Sequence, residues 1–146
     1  MKDTTANTIF SIYLLSPIDR DDEENFYKLL QEYINVGTEI YAYLLDWEKM
    51  DGLPKCRLYV PADHEVFVHS AYKSGFITKE QITAINCKII ETCDLLILYD
   101  GWGLEIDEEL SCAKQESIAV YNMPSLDSIA IEALKLAIKF IVRSKD

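Results

Sequence analysis

The chain has few of the residues on which several large classes of function depend. It contains two histidines, five glycines and four prolines among 146 residues. Its apolar runs are shorter than the roughly 20 residues that a membrane-spanning helix needs, and the N-terminus lacks the basic-then-apolar pattern of a secretory signal. With 49% hydrophobic residues, the composition is typical of a globular protein. We therefore expect one cytoplasmic domain, residues 1–146, without membrane association.

Basic residues are also scarce. The chain has 14 lysines and arginines against 25 aspartates and glutamates, for a formal charge of −11. Nucleic acids and anionic membranes are bound through basic surfaces that neutralise phosphate groups. The charge therefore excludes nucleic acid as an expected partner, although many cytosolic proteins are acidic for solubility alone.

The four cysteines show no recognisable pattern. They are Cys56, Cys87, Cys93 and Cys112, none of them in a CxxC pair or beside a histidine at metal-ligand spacing. Three of them lie in apolar stretches, where a thiol behaves as a small hydrophobic group. We expect all four to be reduced, with no disulfide and no metal site.

Strand-like and helix-like stretches alternate along the chain, which predicts a parallel sheet between two layers of helices. Strands are predicted at 9–15, 39–45, 94–99 and 118–123, with a short extended piece at 56–60. The first helix is predicted to start within 19–24 and to stop at Gly37. Further helices are predicted at 62–72, after a capping box formed by Thr78 and Gln81, at 105–115, and after 124–125. The expected architecture is a three-layer α/β/α domain with about five strands.

The stretch 93–113 points to a ligand site. A buried strand is followed by the glycine-containing loop Gly101-Trp102-Gly103 and then by an acidic helix. Ligands of open α/β sheets bind at the carboxyl ends of strands, where such loops lie. Glu109, near the start of that helix, would be held ionised by the helix dipole and could act as a nucleophile or stabilise an oxocarbenium-like transition state. Acidic residues at a helix N-terminus also stabilise the helix without any other function.

Two motifs resemble a known family. IYLLSP (12–17), and CDLLILYDGWGLEIDEELSCAK (93–114) followed by IAVYN, are similar to signatures of the nucleoside 2-deoxyribosyltransferase-like superfamily. The resemblance implies a flavodoxin-like (Rossmann-like) fold and exchange or hydrolysis of N-glycosidic bonds in nucleosides or their 5′-monophosphates. It also implies a small-molecule substrate, no metal or organic cofactor, and a homo-oligomer. NAD hydrolases of the TIR type have a distantly similar arrangement.

The resemblance assigns three catalytic residues. Glu109 falls on the nucleophilic glutamate of the family, and Tyr13 on the tyrosine that hydrogen-bonds the nucleophile and the sugar. Asp100 falls at the acidic end of the strand, where it could meet the base or a sugar hydroxyl. From the residues alone, the favoured reading of Tyr13 is a packed strand aromatic. For Asp100, a role as the cap of the following turn is equally plausible.

Five more residues are expected to bind substrate. Ser16, just past the first strand, is a candidate contact for phosphate or ribose, and Trp102 either stacks on the base or packs beside Gly101. Asn86 and Gly103 stand where family members often have aspartates, and Glu105 replaces a glycine, so general acid help to the base is in question. His64 could reach the pocket as an acid or base, but a lone histidine is more often structural.

Four functions remain open on the sequence. The leading hypothesis is an enzyme acting on the N-glycosidic bond of a nucleoside or nucleotide through a carboxylate nucleophile. Its alternatives are a binding module that holds a nucleotide-like ligand without turnover and a hydrolase of NAD-type nucleotides. An interaction protein that uses its acidic surface is a further possibility.

Overall fold

A parallel β-sheet forms the centre of the protein. The computed structural model describes residues 9–15, 21–99 and 107–145. The elements in chain order are β1 (Phe10–Leu15), α1 (Glu23–Met50), β2 (Cys56–Tyr59), a 3₁₀ turn (Pro61–His64), α2 (Glu65–Lys73), α3 (Lys79–Glu91), β3 (Leu95–Tyr99), α4 (Asp107–Gln115), β4 (Ala119–Met123) and α5 (Ser128–Ser144).

The strand order is β2-β1-β3-β4, and all three neighbouring pairs are parallel. This order and the helices on both faces are those of a flavodoxin-like three-layer α/β/α fold. The predicted fold class is therefore confirmed, although the described residues form four strands rather than about five. In the register of the sheet, Tyr13 of β1 lies opposite Tyr59 of β2 on one side and opposite Leu96 of β3 on the other.

Alternate residues of the strands build two separate cores. On one face, Ile12, Leu14 and Ile97 pack with side chains of α1 and α5. On the other face, Tyr13 and Leu15 pack with side chains of β3, α3 and α4. Because every residue of β1 is buried, the strand reads in the sequence as an apolar run that only Ser11 interrupts. The prediction of a strand there is correct.

The predicted strand at 39–45 is wrong. These residues lie inside α1, a single helix of 28 residues. The residues of α1 that are buried recur every three or four positions through this stretch: Phe26, Leu30, Tyr33, Val36, Gly37, Ile40, Leu44 and Trp47. The alternation in EIYAYLL is therefore part of a helical pattern, and burial against the sheet outweighs its β-type composition.

Gly37 does not end the helix, as predicted, but lies in its middle. A Cβ atom added at Gly37 would stand 2.8 Å from Cγ2 of Val60, which is buried just after β2. The glycine thus lets α1 approach the end of β2 closely. The short extended piece predicted at 56–60 is correct, and as β2 it takes the place in the sheet that was assigned to 39–45.

The remaining predicted elements are confirmed. The hydroxyl of Thr78 accepts a hydrogen bond from the Gln81 N–H, and the Gln81 side chain accepts one from the Thr78 N–H, which completes the predicted capping box. The Asp127 carboxylate accepts a hydrogen bond from the Ala130 N–H at the start of α5. None of the helices in the described part of the chain is both long enough and apolar enough to cross a membrane.

We predict that Gly37→Ala destabilises the protein by about 1–3 kcal/mol, because overpacking against Val60 outweighs the better helix propensity of alanine. Urea unfolding of the two proteins measures the difference. Val60→Ala removes the obstructing methyl groups and is the matched background. In that background, Gly37→Ala should be neutral or stabilising; a loss as large as in the wild-type background would contradict the close approach.

Candidate functional site

The chain continues from the neighbouring strands β1 and β3 toward opposite edges of the sheet, so their carboxyl ends form a topological switch point. From β1 the chain crosses one face of the sheet through α1 to reach β2, and from β3 it crosses the other face through α4 to reach β4. Flavodoxin-like proteins bind ligands where neighbouring strands diverge in this way. Two of the strands that the sequence motifs identified are therefore adjacent at this point.

The loop residues predicted for the site follow these two strands in the chain. Ser16 comes directly after β1, and Asp100, Gly101, Trp102 and Gly103 come directly after β3. All five lie outside the described residues, and their predicted roles remain predictions.

Tyr13 lies in β1 on the sheet face covered by α3 and α4. Its side chain is fully buried and belongs to the cluster that includes Leu96, Ile90 and Ala113. The ring is thus a packed strand aromatic, one of the two readings that the sequence left open. Tyr13 also has an interaction partner.

Glu109 is the third residue of α4 and is half-buried. Ala113, one helical turn later on the same side, is fully buried in the cluster around Tyr13, and Leu110 packs against that cluster. Residues four apart share a helix face, so Glu109 lies on the side of α4 that faces the sheet. Like Tyr13, Glu109 has an interaction partner.

Asn86 lies on α3, which covers the same face of the sheet. It is half-buried and stands one turn from Ile82 and one turn from Ile90, both of which are buried. Asn86 therefore lies on the inner side of α3, about 6 Å along the helix from Ile90 at 1.5 Å per residue. Ile90 itself packs in the cluster around Tyr13.

Tyr13, Asn86 and Glu109 thus come from three elements that cover or form one face of the sheet. Glu109 is the third residue of α4 as the structure describes it, and its carboxylate is the one group of the three that could act as a nucleophile. A phenol and an amide are groups that can orient such a carboxylate or a sugar hydroxyl by hydrogen bonds. The arrangement can supply a nucleophile and polar contacts.

Sequence reasoning missed a buried polar pair on α2. Glu65 is 1% exposed and His69 is 6% exposed, and as residues four apart they share the inner side of the helix. The His69 ring stacks on Phe26 of α1 with ring centroids 4.0 Å apart. Acidic residues are almost never fully buried without a partner, and Glu65 has one. Nothing in the local sequence distinguishes Glu65 from a surface glutamate at a helix N-terminus.

Tyr59 lies at the end of β2, the strand next to β1, and therefore beside the candidate site. Its ring lies 5.4 Å from that of Tyr13 and stacks at 5.5 Å on the exposed His64. Burial, and then the negative charges of Glu65 and Asp63, raise the pKa of Tyr59 above its usual value. Tyr59 is thus a neutral phenol near neutral pH, able to donate a hydrogen bond. His64 therefore contacts Tyr59, and its role as an acid or base in the pocket stays a prediction.

The expectation that all cysteines are reduced is wrong. Cys87 of α3 and Cys112 of α4 form a disulfide, with their Cα atoms 5.7 Å apart. The two residues are 25 positions apart in the chain, and their proximity arises only when α3 and α4 pack side by side on the sheet. Cys112 lies one turn after Glu109, so the disulfide ties the helix that carries Glu109 to α3.

The other two cysteines are free and buried. Burial raises the pKa of the Cys56 thiol to about 12 and also raises that of Cys93. Because the thiolate is the reactive form, both thiols are inert near neutral pH in the folded protein. The prediction that the cysteines are reduced is correct for these two.

Two cavities lie beside β2 rather than at the ends of β1 and β3. One, of about 510 Å³, runs between β2 and α1 and is lined by residues that include Thr38, Tyr41 and Arg57. The other, of about 410 Å³, lies between β2 and α3. Neither includes Tyr13 or Glu109 in its lining. Among the described residues, no group of three or more histidines, cysteines and carboxylates is placed to hold a metal ion.

The chain was compared with protein-family models, with curated proteins and with solved structures. None of the three comparisons finds a match.

We predict that reducing the Cys87–Cys112 disulfide lowers the free energy of unfolding by about 3 kcal/mol, because the cross-link restricts a loop of 25 residues in the unfolded chain. Thermal unfolding with and without a dithiol reductant measures the change. The double variant Cys87→Ala/Cys112→Ala should have the lower stability already and should not respond to the reductant. A thiol-titrating reagent should find two thiols in the unfolded, unreduced wild type; a count of four would contradict the disulfide.

Proposed function

We propose that the protein cleaves or exchanges the N-glycosidic bond of a nucleoside or nucleotide, with Glu109 as the nucleophile. The observation that carries the proposal is the position of Tyr13 and of the Glu109 helix on one face of the sheet, beside the point where β1 and β3 diverge. These two residues stand more than 90 positions apart in the chain, and each lies in one of the two motifs that resemble the deoxyribosyltransferase-like superfamily. The ligand is a small molecule, in keeping with the net charge of −11.

The reaction would proceed in two displacements. In the first, a carboxylate oxygen of Glu109 attacks C1′ of the sugar, and the bond between C1′ and the base nitrogen breaks. The electron pair of that bond leaves with the base, which takes up a proton. In the second, water or a second base attacks C1′ and releases Glu109; water makes the protein a hydrolase, and a base makes it a transferase.

The other residues support these displacements. Tyr13 would orient the Glu109 carboxylate by donating a hydrogen bond, and Asp100 would assist protonation of the leaving base. Asn86, on the inner side of α3, would contact the substrate in the position where related enzymes often have an aspartate. Ser16 and the loop Gly101-Trp102-Gly103 would contact the remainder of the ligand, with Trp102 offering a surface for stacking on the base.

A second candidate is a binding module that holds a nucleotide-like ligand without turnover. The complete burial of Tyr13 favours it, because a phenol enclosed in an apolar cluster is poorly placed to meet a sugar hydroxyl. Asn86 and Gly103 favour it as well, because they stand where enzymes of the superfamily often have aspartates, one of which helps to protonate the leaving base. Glu105 favours it because it adds bulk and negative charge where those enzymes have a glycine.

We predict that Glu109→Gln lowers the rate of base release at least about 10³-fold, because the amide cannot form the glycosyl intermediate. The assay incubates the protein with a panel of nucleosides, deoxynucleoside monophosphates and NAD, and free base is quantified by chromatography. Glu108→Gln is the matched control, since Glu108 is the preceding residue of α4 and is exposed. It should retain the wild-type rate.

The outcomes separate the two candidates. Base release that both variants retain would show that Glu109 is not the nucleophile. Thermal stabilisation by a panel member without release of base, by the wild type as well, would replace the enzyme with the binding module.

We predict that Tyr13→Phe lowers the same rate by about 10- to 100-fold, because it removes one hydrogen bond to a charged group and keeps the packed ring. The thermal midpoint, measured in parallel, should change little. If the rate is unaffected, Tyr13 does not orient the carboxylate and serves only as a core residue.

A further inference from the structure

The outer side of α5 carries a stripe of apolar side chains. Ile129 is 81% exposed, Leu136 is 61% exposed and Phe140 is 73% exposed. Together with the half-buried Ala133, they recur at intervals of four, three and four residues, which places them on one line along the helix. We call these four residues the outer stripe.

The outer stripe is separate from the face by which α5 packs on the sheet. That inner face consists of Ala130, Ile131, Leu134 and Ile138, all of them buried in the core. A helix at the surface of a globular protein normally has one apolar face and a polar face opposite to it. A helix with apolar residues on both sides indicates that the outer side also has a surface to cover it.

Two charged residues beside the outer stripe have opposite signs. The negative one precedes Leu136, the middle of the stripe, and the positive one follows it. Glu132 lies four residues before Leu136 and is exposed, and Lys139 lies three residues after Leu136 and is half-buried. A second copy of the same helix, turned end for end about Leu136, therefore places its Lys139 beside Glu132 of the first. The reverse pair forms at the same time, by symmetry. In a parallel pair, each charge would instead lie at the same height as its own copy and away from the opposite charge.

We propose that the outer stripe is the interface of a homodimer in which two α5 helices pack antiparallel about a two-fold axis at Leu136. The apolar residues of each stripe cover those of the other, and two Glu132–Lys139 pairs set the direction and the register. The antiparallel arrangement also pairs each helix dipole with its opposite. Because the same patch is used by both copies, the contact closes at two copies and does not propagate.

The size of the stripe sets the strength of the dimer. A helix of 17 residues is about 25 Å long, so two such helices in contact bury less than a standard protein interface. The high negative charge of each copy opposes association further. We therefore expect a dissociation constant in the range of about 1–100 µM rather than an obligate dimer.

Sedimentation velocity over a range of protein concentrations tests the proposal. The wild type should shift from monomer to dimer with rising concentration, and Leu136→Glu should weaken the association at least tenfold. Phe76→Glu is the matched control: Phe76 is 85% exposed, lies between α2 and α3 and does not belong to the outer stripe. It should leave the association unchanged, and circular dichroism should show the wild-type helix content for both variants.

Charge reversal tests the direction of packing. Glu132→Lys and Lys139→Glu should each weaken the dimer, because each brings like charges together, and the double reversal should restore it. Of the two single variants, Glu132→Lys gives the more decisive test. It reduces the negative net charge from −11 to −9, so it would strengthen association if overall charge repulsion alone controlled the dimer.

Four results would overturn the proposal. A protein that stays monomeric up to about 100 µM leaves the stripe to another partner. A dimer that Leu136→Glu leaves unchanged, or that Phe76→Glu disrupts, uses another surface. A Glu132→Lys variant that associates more strongly than the wild type excludes the antiparallel pairing.

Discussion

The position of β1 is the constraint on which the rest of the structure depends. The strand is hydrogen-bonded to β2 along one edge and to β3 along the other, and all six of its residues are buried. Its alternate side chains enter both cores, so the helices on the two faces are positioned against one element. The same strand contributes Tyr13 to the candidate site and ends where the chain diverges. A shift of one residue in the register of β1 would therefore exchange the side chains that face the two cores, and it would also displace Tyr13 from the candidate site.

The strands and helices could be predicted from the sequence wherever the local sequence pattern agrees with the burial of the residues. The apolar runs of β1 and β3 and the capping box of α3 were recognised because those residues are buried or bonded to near neighbours. The stretch 39–45 was assigned wrongly because its helical period becomes visible only with the buried residues that precede it from Phe26 onward, and because Gly37 resembled a helix stop. The reason for that glycine is the contact with Val60, which only the folded chain contains.

The candidate site could be predicted only in part. Tyr13 and Glu109 lie in recognisable motifs, and both belong to elements on one face of the sheet. The burial of Glu65 and His69 on α2 could not be foreseen, because it depends on how α2 packs over the ends of β2 and α1. The disulfide escaped prediction for the same reason. A spacing of 25 residues between Cys87 and Cys112 has no meaning until two helices lie side by side.

The central place of β1 has a consequence for the synthesis of the protein. β1 leaves the ribosome before the other described strands, yet its backbone is bonded to Asp94, which is 83 positions after Ser11. At about 5–20 residues per second, the ribosome takes about 4–17 s to add that length of chain. Throughout this interval β1 lacks its partner β3, and until β2 has been made both of its edges are open. The β1 segment of the nascent chain therefore exposes apolar side chains and unpaired backbone groups, which are the features that make incomplete chains prone to aggregate.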